Sequence, residues 1–109
     1  HRYSSAASDV YKRQIVGFII FSVINKEMHL LNIAVHTEHQ KKGIGSLLME
    51  TMLKQASVMG VLKVYLEVRS KNEKAILFYE KYNFIKDAVR VNYYTGENPD
   101  DAVLMSLAI

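Results

Sequence analysis

The spacing of apolar residues divides most of the chain into short segments of different character. Residues 15–24, IVGFIIFSVI, are almost all apolar, which is typical of a strand buried on both faces. The polar NKE at 25–27 indicates a turn, and residues 28–35 form a second apolar run. Two strands joined by so short a turn predict a β-hairpin.

Further along, a helical period alternates with strand-like patterns. Between residues 45 and 59 the apolar positions approach one helical stripe, with Gly60 as a stop. The stripe consists of Ile44, Leu47, Leu48, Thr51, Met52 and Met59. Alternation then predicts a strand whose inner face carries Leu62, Val64, Leu66 and Val68. We expect a second helix from Asn72, a favourable N-cap, and two further strands at 84–94 and 102–109.

The predicted order in residues 15–109 is therefore β-β-α-β-α-β-β. This order implies one α/β domain (an α+β mixed sheet) with helices packed on the sheet. Residues 1–14, HRYSSAASDVYKRQ, are serine-rich and lack a sustained period, so we expect a leader outside the fold. The DVYKRQ within it resembles translated sequencing-adaptor sequence. A non-native leader is one interpretation, and a disordered native arm is the other.

Composition excludes several classes of protein. The 109 residues suit a single globular domain, with half of them hydrophobic and 23% charged. The net charge of +3 is compatible with an anionic ligand but too small to indicate nucleic acid. The sequence has no cysteine, which excludes disulfides and thiol nucleophiles, and its four histidines lack metal-ligand spacing. No apolar run reaches transmembrane length.

The stretch HQKKGIGSLLME at 39–50 places two glycines where a helix is expected to begin. The first N–H groups of a helix lack internal partners, and glycine lets an anion approach them closely. Lys41 and Lys42 add positive charge. The segment therefore predicts a phosphate or pyrophosphate site, with a plain tight turn as the alternative. Neither GxxxxGK(S/T) nor GxGxxG occurs, which argues against a nucleoside triphosphatase and a dinucleotide fold.

The remaining pattern, Q-x-x-G-x-G from Gln40 to Gly45, resembles the acetyl-CoA loop of the GNAT acetyltransferase superfamily. Further segments in the same order resemble bacterial ribosomal-protein alanine N-acetyltransferases. These segments are LNIAV before the loop, LEVRSKNEKAILFYEKYNF after it, then NYY and DAVLMSLAI. The resemblance covers residues 15–109, and it implies the GNAT fold with acetyl-CoA as cosubstrate.

The resemblance also implies which residues hold acetyl-CoA. The strand before the loop would bond the acetyl and pantetheine parts through its backbone, and the loop amides would hold the pyrophosphate. Asn72 would bond the pantetheine arm as well as cap its helix. The implied set is Ile33, Ala34, Val35, Gln40, Lys41, Lys42, Gly43, Ile44, Gly45, Ser46 and Asn72. The alternatives are a plain core strand at 33–35 and a plain N-cap at Asn72.

Two catalytic residues follow from the same resemblance. Glu67 matches the general base that takes a proton from the attacking amine, although a solvated strand carboxylate is the alternative. Tyr79 matches the acid that protonates the departing thiolate, although an amphipathic core tyrosine is the alternative. Tyr93 and Tyr94 either line the acceptor-peptide cleft or end a strand with two half-buried rings.

The implied function is an acetyl-CoA-dependent N-acetyltransferase that acts on the N-terminal alanine of a ribosomal protein. Attack by the amine is direct, and the sheet splays between the strands carrying Val35 and Glu67 to admit the cosubstrate. We expect a cytoplasmic location, no direct nucleic-acid or membrane partner and no metal. Two alternatives stay open, namely acetylation of a small-molecule amine and a non-catalytic acyl-CoA-binding module.

The sequence departs from the family pattern before Gln14. Members of the family normally carry a strand, one or two helices and another strand there, and these form one wall of the acceptor site. We expect this strand–helix–helix–strand part to be missing from the chain. An unpaired sheet edge would allow self-association, so a monomer and an edge-paired dimer both stay open.

Overall fold

A single mixed sheet with two helices forms the part of the chain that the computed structural model describes, residues 1–8 and 14–109. The strands are β1 (Arg2–Ser8), β2 (Ile15–Ile24), β3 (Glu27–Val35), β4 (Lys63–Arg69), β5 (Ile85–Tyr94) and β6 (Asp100–Ala108). The α-helices are α1 (Ile44–Val58) and α2 (Glu73–Lys81), and a 3₁₀ turn covers Thr37–His39. The predicted fold class is confirmed, and from β2 onwards the order of elements is the predicted one.

The predicted hairpin joins β2 to β3 through a two-residue turn. Asn25 and Lys26 both have positive φ, 49° and 66°. Tight hairpin turns of this kind need positive φ at both central residues, because their twist then matches that of the strands. Ile24 consequently faces Glu27 across the turn, and this sets the antiparallel register of the hairpin.

The strand order is β1-β2-β3-β4-β6-β5, and every neighbouring pair is antiparallel except β3 and β4. The parallel pairing of β3 with β4 lasts for three residue pairs, from Glu27 with Lys63 to His29 with Tyr65. On the other side of β3, the register with β2 shifts so that Leu31 is an extra residue. Such a bulge bends a strand, and beyond it β3 and β4 diverge. This is the expected splay of the sheet.

The core lies between the sheet and the inner faces of the helices. Helix α1 buries Leu48, Met49, Met52 and Ala56. Helix α2 buries Ile76 and Tyr79. The predicted alternation in β4 is confirmed for Val64, Leu66 and Val68, all buried. These side chains belong to one apolar cluster that also contains residues of β2, β3 and β6.

Two predicted core positions are wrong. Leu47 of the predicted helical stripe is 56% exposed, because the buried face of α1 is centred on Leu48 and Met52 instead. Leu62 is 63% exposed because β4 begins only at Lys63. The period itself holds in β4, where Leu62 only precedes the strand, and in α1 the predicted stripe was too wide by Leu47.

The first residues of the chain differ from the expectation. Arg2–Ser8 forms β1, which pairs with β2 from Arg2 opposite Ser22 to Ala7 opposite Gly17. An edge strand is held mainly by main-chain hydrogen bonds, so a run of serine and alanine gives no periodic signal. One strand therefore precedes β2, and the expectations that residues 1–14 lie outside the fold and that every family element before β2 is missing are wrong for Arg2–Ser8. Residues 9–13 of the expected leader lie outside the described residues.

Gly17 sets the distance between β2, β3 and the start of α1. A Cβ atom there would lie 2.9 Å from the Ala34 carbonyl oxygen, 3.1 Å from Ile44 Cγ2 and 3.3 Å from Leu48 Cδ1. The first of these is backbone and cannot rotate away. The end of β3 and the beginning of α1 are therefore close because position 17 has no side chain.

We expect Gly17→Ala to lower the free energy of unfolding by about 1–3 kcal/mol, because the added methyl group overpacks this contact. Urea denaturation followed by circular dichroism measures the change. Gly45→Ala is the matched control, since its Cβ would lie at an ordinary 3.7 Å from Phe78. It should keep or slightly raise stability. Equal stability of wild type and Gly17→Ala would contradict the close approach.

Candidate functional site

Two cavities meet where β3 and β4 diverge. The larger, about 450 Å³, lies between the end of β3, the loop before α1 and the inner face of α2. The smaller, about 230 Å³, lies between β3, β4 and the end of β5. Ile33, Asn72, Ala75 and Tyr79 line both cavities, so these residues form the junction between them.

Most of the predicted site residues lie at these cavities. The predicted residues that line the larger cavity are Ile33, Ala34, Val35, Gln40, Lys41, Gly43, Ile44, Gly45, Ser46, Asn72 and Tyr79. Glu67 lines the smaller cavity together with Tyr94. Lys42 and Tyr93 are in neither lining. The structure thus brings together segments that are far apart in sequence.

The N-terminus of α1 opens into the larger cavity. Gly43 is the N-cap with φ of 78°, and it makes no side-chain capping hydrogen bond. The Leu47 N–H is the first to bond inside the helix, donating to the Gly43 carbonyl at 3.0 Å. The N–H groups just before Leu47 therefore lack helical partners and carry the positive end of the helix dipole. The first turn contains no acidic residue, and this arrangement suits an anion.

Gln40 lies beside this loop but bonds towards the strand. Its Nε2 donates to the Val35 carbonyl at 3.2 Å. The bond ties the start of the loop to the end of β3. This hydrogen bond gives Gln40 a role in holding the loop in place, and that role needs no direct contact with a ligand.

The end of β3 offers main-chain groups to the larger cavity. Residues Ile33 to Val35 pair with β2 on one side, from Ile19 to Gly17. On the other side β4 has already diverged. Main-chain N–H and C=O groups on that side have no strand to pair with, and buried groups of this kind need partners. A ligand with amide groups could supply them.

Asn72 caps α2, as predicted. Its Oδ1 accepts a hydrogen bond from the Ala75 N–H at 3.2 Å. This leaves the two hydrogens of its Nδ2 group for the cavities that the side chain lines. The cap and a contact to a ligand are therefore compatible.

Tyr79 is 8% exposed and stands at the junction of the two cavities. Its ring packs edge-to-face against Phe78 and Phe84, with centroids 5.7 Å and 5.9 Å away. Burial raises the pKa of the Tyr79 phenol, and Tyr94 nearby raises it further. A raised pKa keeps the phenol protonated at neutral pH, so it can act as a proton donor.

Glu67 is exposed on β4 and lines the smaller cavity. Tyr94 lies across from it, and burial is the main reason that the pKa of Tyr94 is raised. The charges of Tyr93 and Glu67 raise it further, while that of Arg69 lowers it. The smaller cavity is therefore lined by a carboxylate and by two phenols that stay neutral, Tyr79 and Tyr94.

Sequence reasoning missed several lining residues. Ala75 follows the helical spacing from Asn72 to Tyr79 and was recognisable from it. Phe78 packs against the core and also lines the larger cavity. His39 and Lys74 line the same cavity, and Arg69 lines the smaller one. Nothing in their spacing marked these three, since their places depend on how the elements pack.

In the described ranges, no group of three or more histidine, aspartate or glutamate side chains is arranged to hold a metal ion. Neither helix of the described residues is long and apolar enough to cross a membrane.

Comparison with known proteins identifies clear relatives. A sequence model of the acetyltransferase (GNAT) family matches residues 2–84. The ribosomal protein bS18-alanine N-acetyltransferase of Salmonella typhimurium is 37% identical over 97 residues, which cover 88% of this chain and 66% of that protein. The protein of the same name from Haemophilus influenzae is 38% identical, over 89% of this chain and 67% of its own.

A solved structure shows the same similarity in three dimensions. The crystal structure of the ribosomal-protein-S18-alanine N-acetyltransferase from Escherichia coli superposes with a TM-score of 0.91 at 33% identity. The superposition covers 99% of this chain and 69% of that one. The chain thus spans about two thirds of the length of the relatives that it matches.

The two roles available to Asn72 can be separated by substitution. We expect Asn72→Ala to lower the free energy of unfolding by about 1 kcal/mol, because the α2 cap is lost. Asn72→Asp should keep this stability, since aspartate also caps, but it removes the amide donors. Urea denaturation of the three proteins measures the difference. An alanine variant as stable as the wild type would show that the cap contributes nothing.

Proposed function

The chain belongs to the acetyltransferase (GNAT) family, and we propose that it moves an acetyl group from acetyl-CoA to the N-terminal amine of a ribosomal protein. We propose the α-amine of an alanine as the acceptor, because the similar proteins are named alanine N-acetyltransferases. One observation supports the proposal: a cavity at a helix N-terminus, suited to an anion, and a carboxylate-lined cavity share Tyr79 in their linings. A reaction between two substrates entering from opposite sides needs this arrangement.

The larger cavity fits acetyl-CoA, which supplies an acetyl thioester already activated towards amines. The free N–H groups at the start of α1 suit its pyrophosphate. The main chain at residues 33–35, on the side where no strand follows, suits the amides of its pantetheine arm. In this proposal Asn72 donates its Nδ2 hydrogens to the same arm. Lys41 lines this cavity and adds positive charge at its phosphate end.

The smaller cavity is the proposed acceptor side. An N-terminal amine is protonated for most of the time at neutral pH and must lose a proton before it attacks. Glu67 is the carboxylate that lines this cavity, and we assign it the role of general base. Because β3 and β4 diverge here, the amine can reach the junction through the splay of the sheet.

Tyr79 is the proposed general acid. Tyr79 lines both cavities, and in this proposal the sulfur leaves and the amine arrives at this junction. Burial raises its pKa, so the proton stays on the oxygen until the sulfur takes it. The sequence contains no cysteine, which agrees with direct transfer that needs no covalent enzyme intermediate. The ribosomal substrate implies that the reaction takes place in the cytoplasm.

We expect Tyr79→Phe to lower kcat by roughly 10²–10⁴-fold, because the leaving sulfur loses its proton donor. Steady-state kinetics with acetyl-CoA and an alanine-initiated peptide measure kcat. Calorimetry with acetyl-CoA should give nearly the wild-type affinity, since the ring remains in place.

Tyr82→Phe is the matched control for this substitution. Tyr82 caps the same helix and its ring lies 5.3 Å from that of Phe78, but it lines neither cavity. The Tyr82→Phe variant should keep the wild-type kcat. The role of Tyr79 as the acid is refuted if both variants retain wild-type kcat.

The acceptor is tested with three amines offered together with acetyl-CoA. We expect transfer to a peptide that begins with alanine, none to the same peptide with a blocked N-terminus and none to spermine. Mass spectrometry of each acceptor measures the product. Transfer to spermine alone would indicate a small-molecule enzyme. Binding of acetyl-CoA without any transfer would indicate a binding module.

A further inference from the structure

The loop that follows β5, residues 95–99, is fastened to the end of β4 by one arginine. Arg69 Nη1 donates to the Asn98 carbonyl oxygen at 2.6 Å. The guanidinium carbon of the same side chain lies 4.3 Å from the centre of the Tyr94 ring. One planar group therefore stacks on the last residue of β5 and bonds the loop after it. A guanidinium can do both at once because its donors point outward in its own plane.

A second group of hydrogen bonds, accepted by Asp100, holds the other end of the same loop. Asp100 accepts from Ser70 Oγ at 2.7 Å and from the Lys71 N–H at 3.0 Å. Its Oδ1 also accepts from the Asp101 N–H at 2.7 Å. The hydrogen bond from Ser70 is the main reason that the pKa of Asp100 is lowered, so the carboxylate stays ionised. Both ends of the loop are thus attached to the segment that leads into α2.

The stacked ring belongs to the smaller cavity. Tyr94 lines this cavity with Glu67 and Tyr79, while the rest of β5 is exposed to solvent. The register between β5 and β6 is irregular between Arg90 and Tyr94, and pairing resumes only at Tyr94, opposite Asp100. The Tyr94 ring thus has two packing partners, the Tyr93 ring, whose centre lies 5.0 Å away edge-to-face, and the Arg69 guanidinium.

We propose that Arg69 is a positioning residue, whose guanidinium holds the Tyr94 ring as a fixed wall of the acceptor cavity and so aligns the incoming amine with Glu67. This inference rests on the proposed function, in which the smaller cavity admits the amine. Arg69 also lines the smaller cavity, but its guanidinium is engaged by the Tyr94 ring and the Asn98 carbonyl. Its loss should therefore affect the acceptor through Tyr94 and leave acetyl-CoA, held in the larger cavity, unaffected.

Arg69→Met and Arg69→Lys test the proposal by kinetics. Both should raise the KM for an alanine-initiated peptide by roughly 10-fold to 100-fold, because the wall that aligns the amine is displaced. The KM for acetyl-CoA should not change. Lysine keeps the charge but not the planar stack, so it should resemble methionine. If Arg69→Lys behaves as the wild type, or if both KM values rise together, positioning by the stacked guanidinium is wrong.

Lys63→Met is the matched control. Lys63 begins the same strand, and its Nζ lies 5.4 Å from the centre of the Tyr65 ring, outside both cavities. Lys63→Met removes one positive charge from β4, as Arg69→Met does. Both KM values should stay at the wild-type level, and a peptide KM raised as much as in Arg69→Met would assign the effect to net charge and overturn the proposal.

A measurement without substrate separates this proposal from the proposed function. Nuclear magnetic resonance of ring-labelled tyrosine should show the Tyr94 signal displaced in Arg69→Met and the Tyr65 signal displaced in Lys63→Met. An unchanged Tyr94 signal in Arg69→Met overturns the positioning role even if the wild type transfers acetyl groups. If the wild type acetylates no amine, the proposed function fails instead, and the Tyr94 signal still decides whether Arg69 holds the ring.

Discussion

The short parallel pairing of β3 with β4 is the constraint on which the site depends. After three residue pairs the strands diverge, and a mixed sheet that would otherwise be continuous acquires an opening. Polar main-chain groups along the second half of β3 then face this opening instead of a neighbouring strand. Main-chain groups of this kind need partners, so the opening is suited to a ligand with amides of its own.

The packing of α1 and α2 gives the two sides of this opening different chemistry. Gly17 lets the start of α1 approach the end of β3, which brings free N–H groups and a positive dipole to one side. Helix α2 brings Asn72 and Tyr79 to the boundary, while β4 brings Glu67 to the other side. An anion and an amine thus have separate approaches that converge on one phenol.

The hydrogen bonds of the β5–β6 loop connect the residues around the smaller cavity to the sheet. Asp100 bonds the turn between β4 and α2, and Asn72 in that turn caps the helix that carries Tyr79. Arg69 bonds the same loop and packs on Tyr94. The residues around the smaller cavity are therefore fixed by one connected set of contacts between segments about thirty positions apart.

The sequence by itself determined the elements from β2 onwards, the N-cap at Asn72 and the glycine-containing loop from Gln40 to Gly45 that leads into α1. Local signals encode these features, namely apolar periodicity, capping chemistry and glycine spacing. Only the tertiary structure decided that β1 pairs with β2, that Leu47 faces solvent and that Arg69 stacks on Tyr94. Main-chain pairing leaves no side-chain pattern, and contacts between distant segments depend on how the whole sheet twists and diverges.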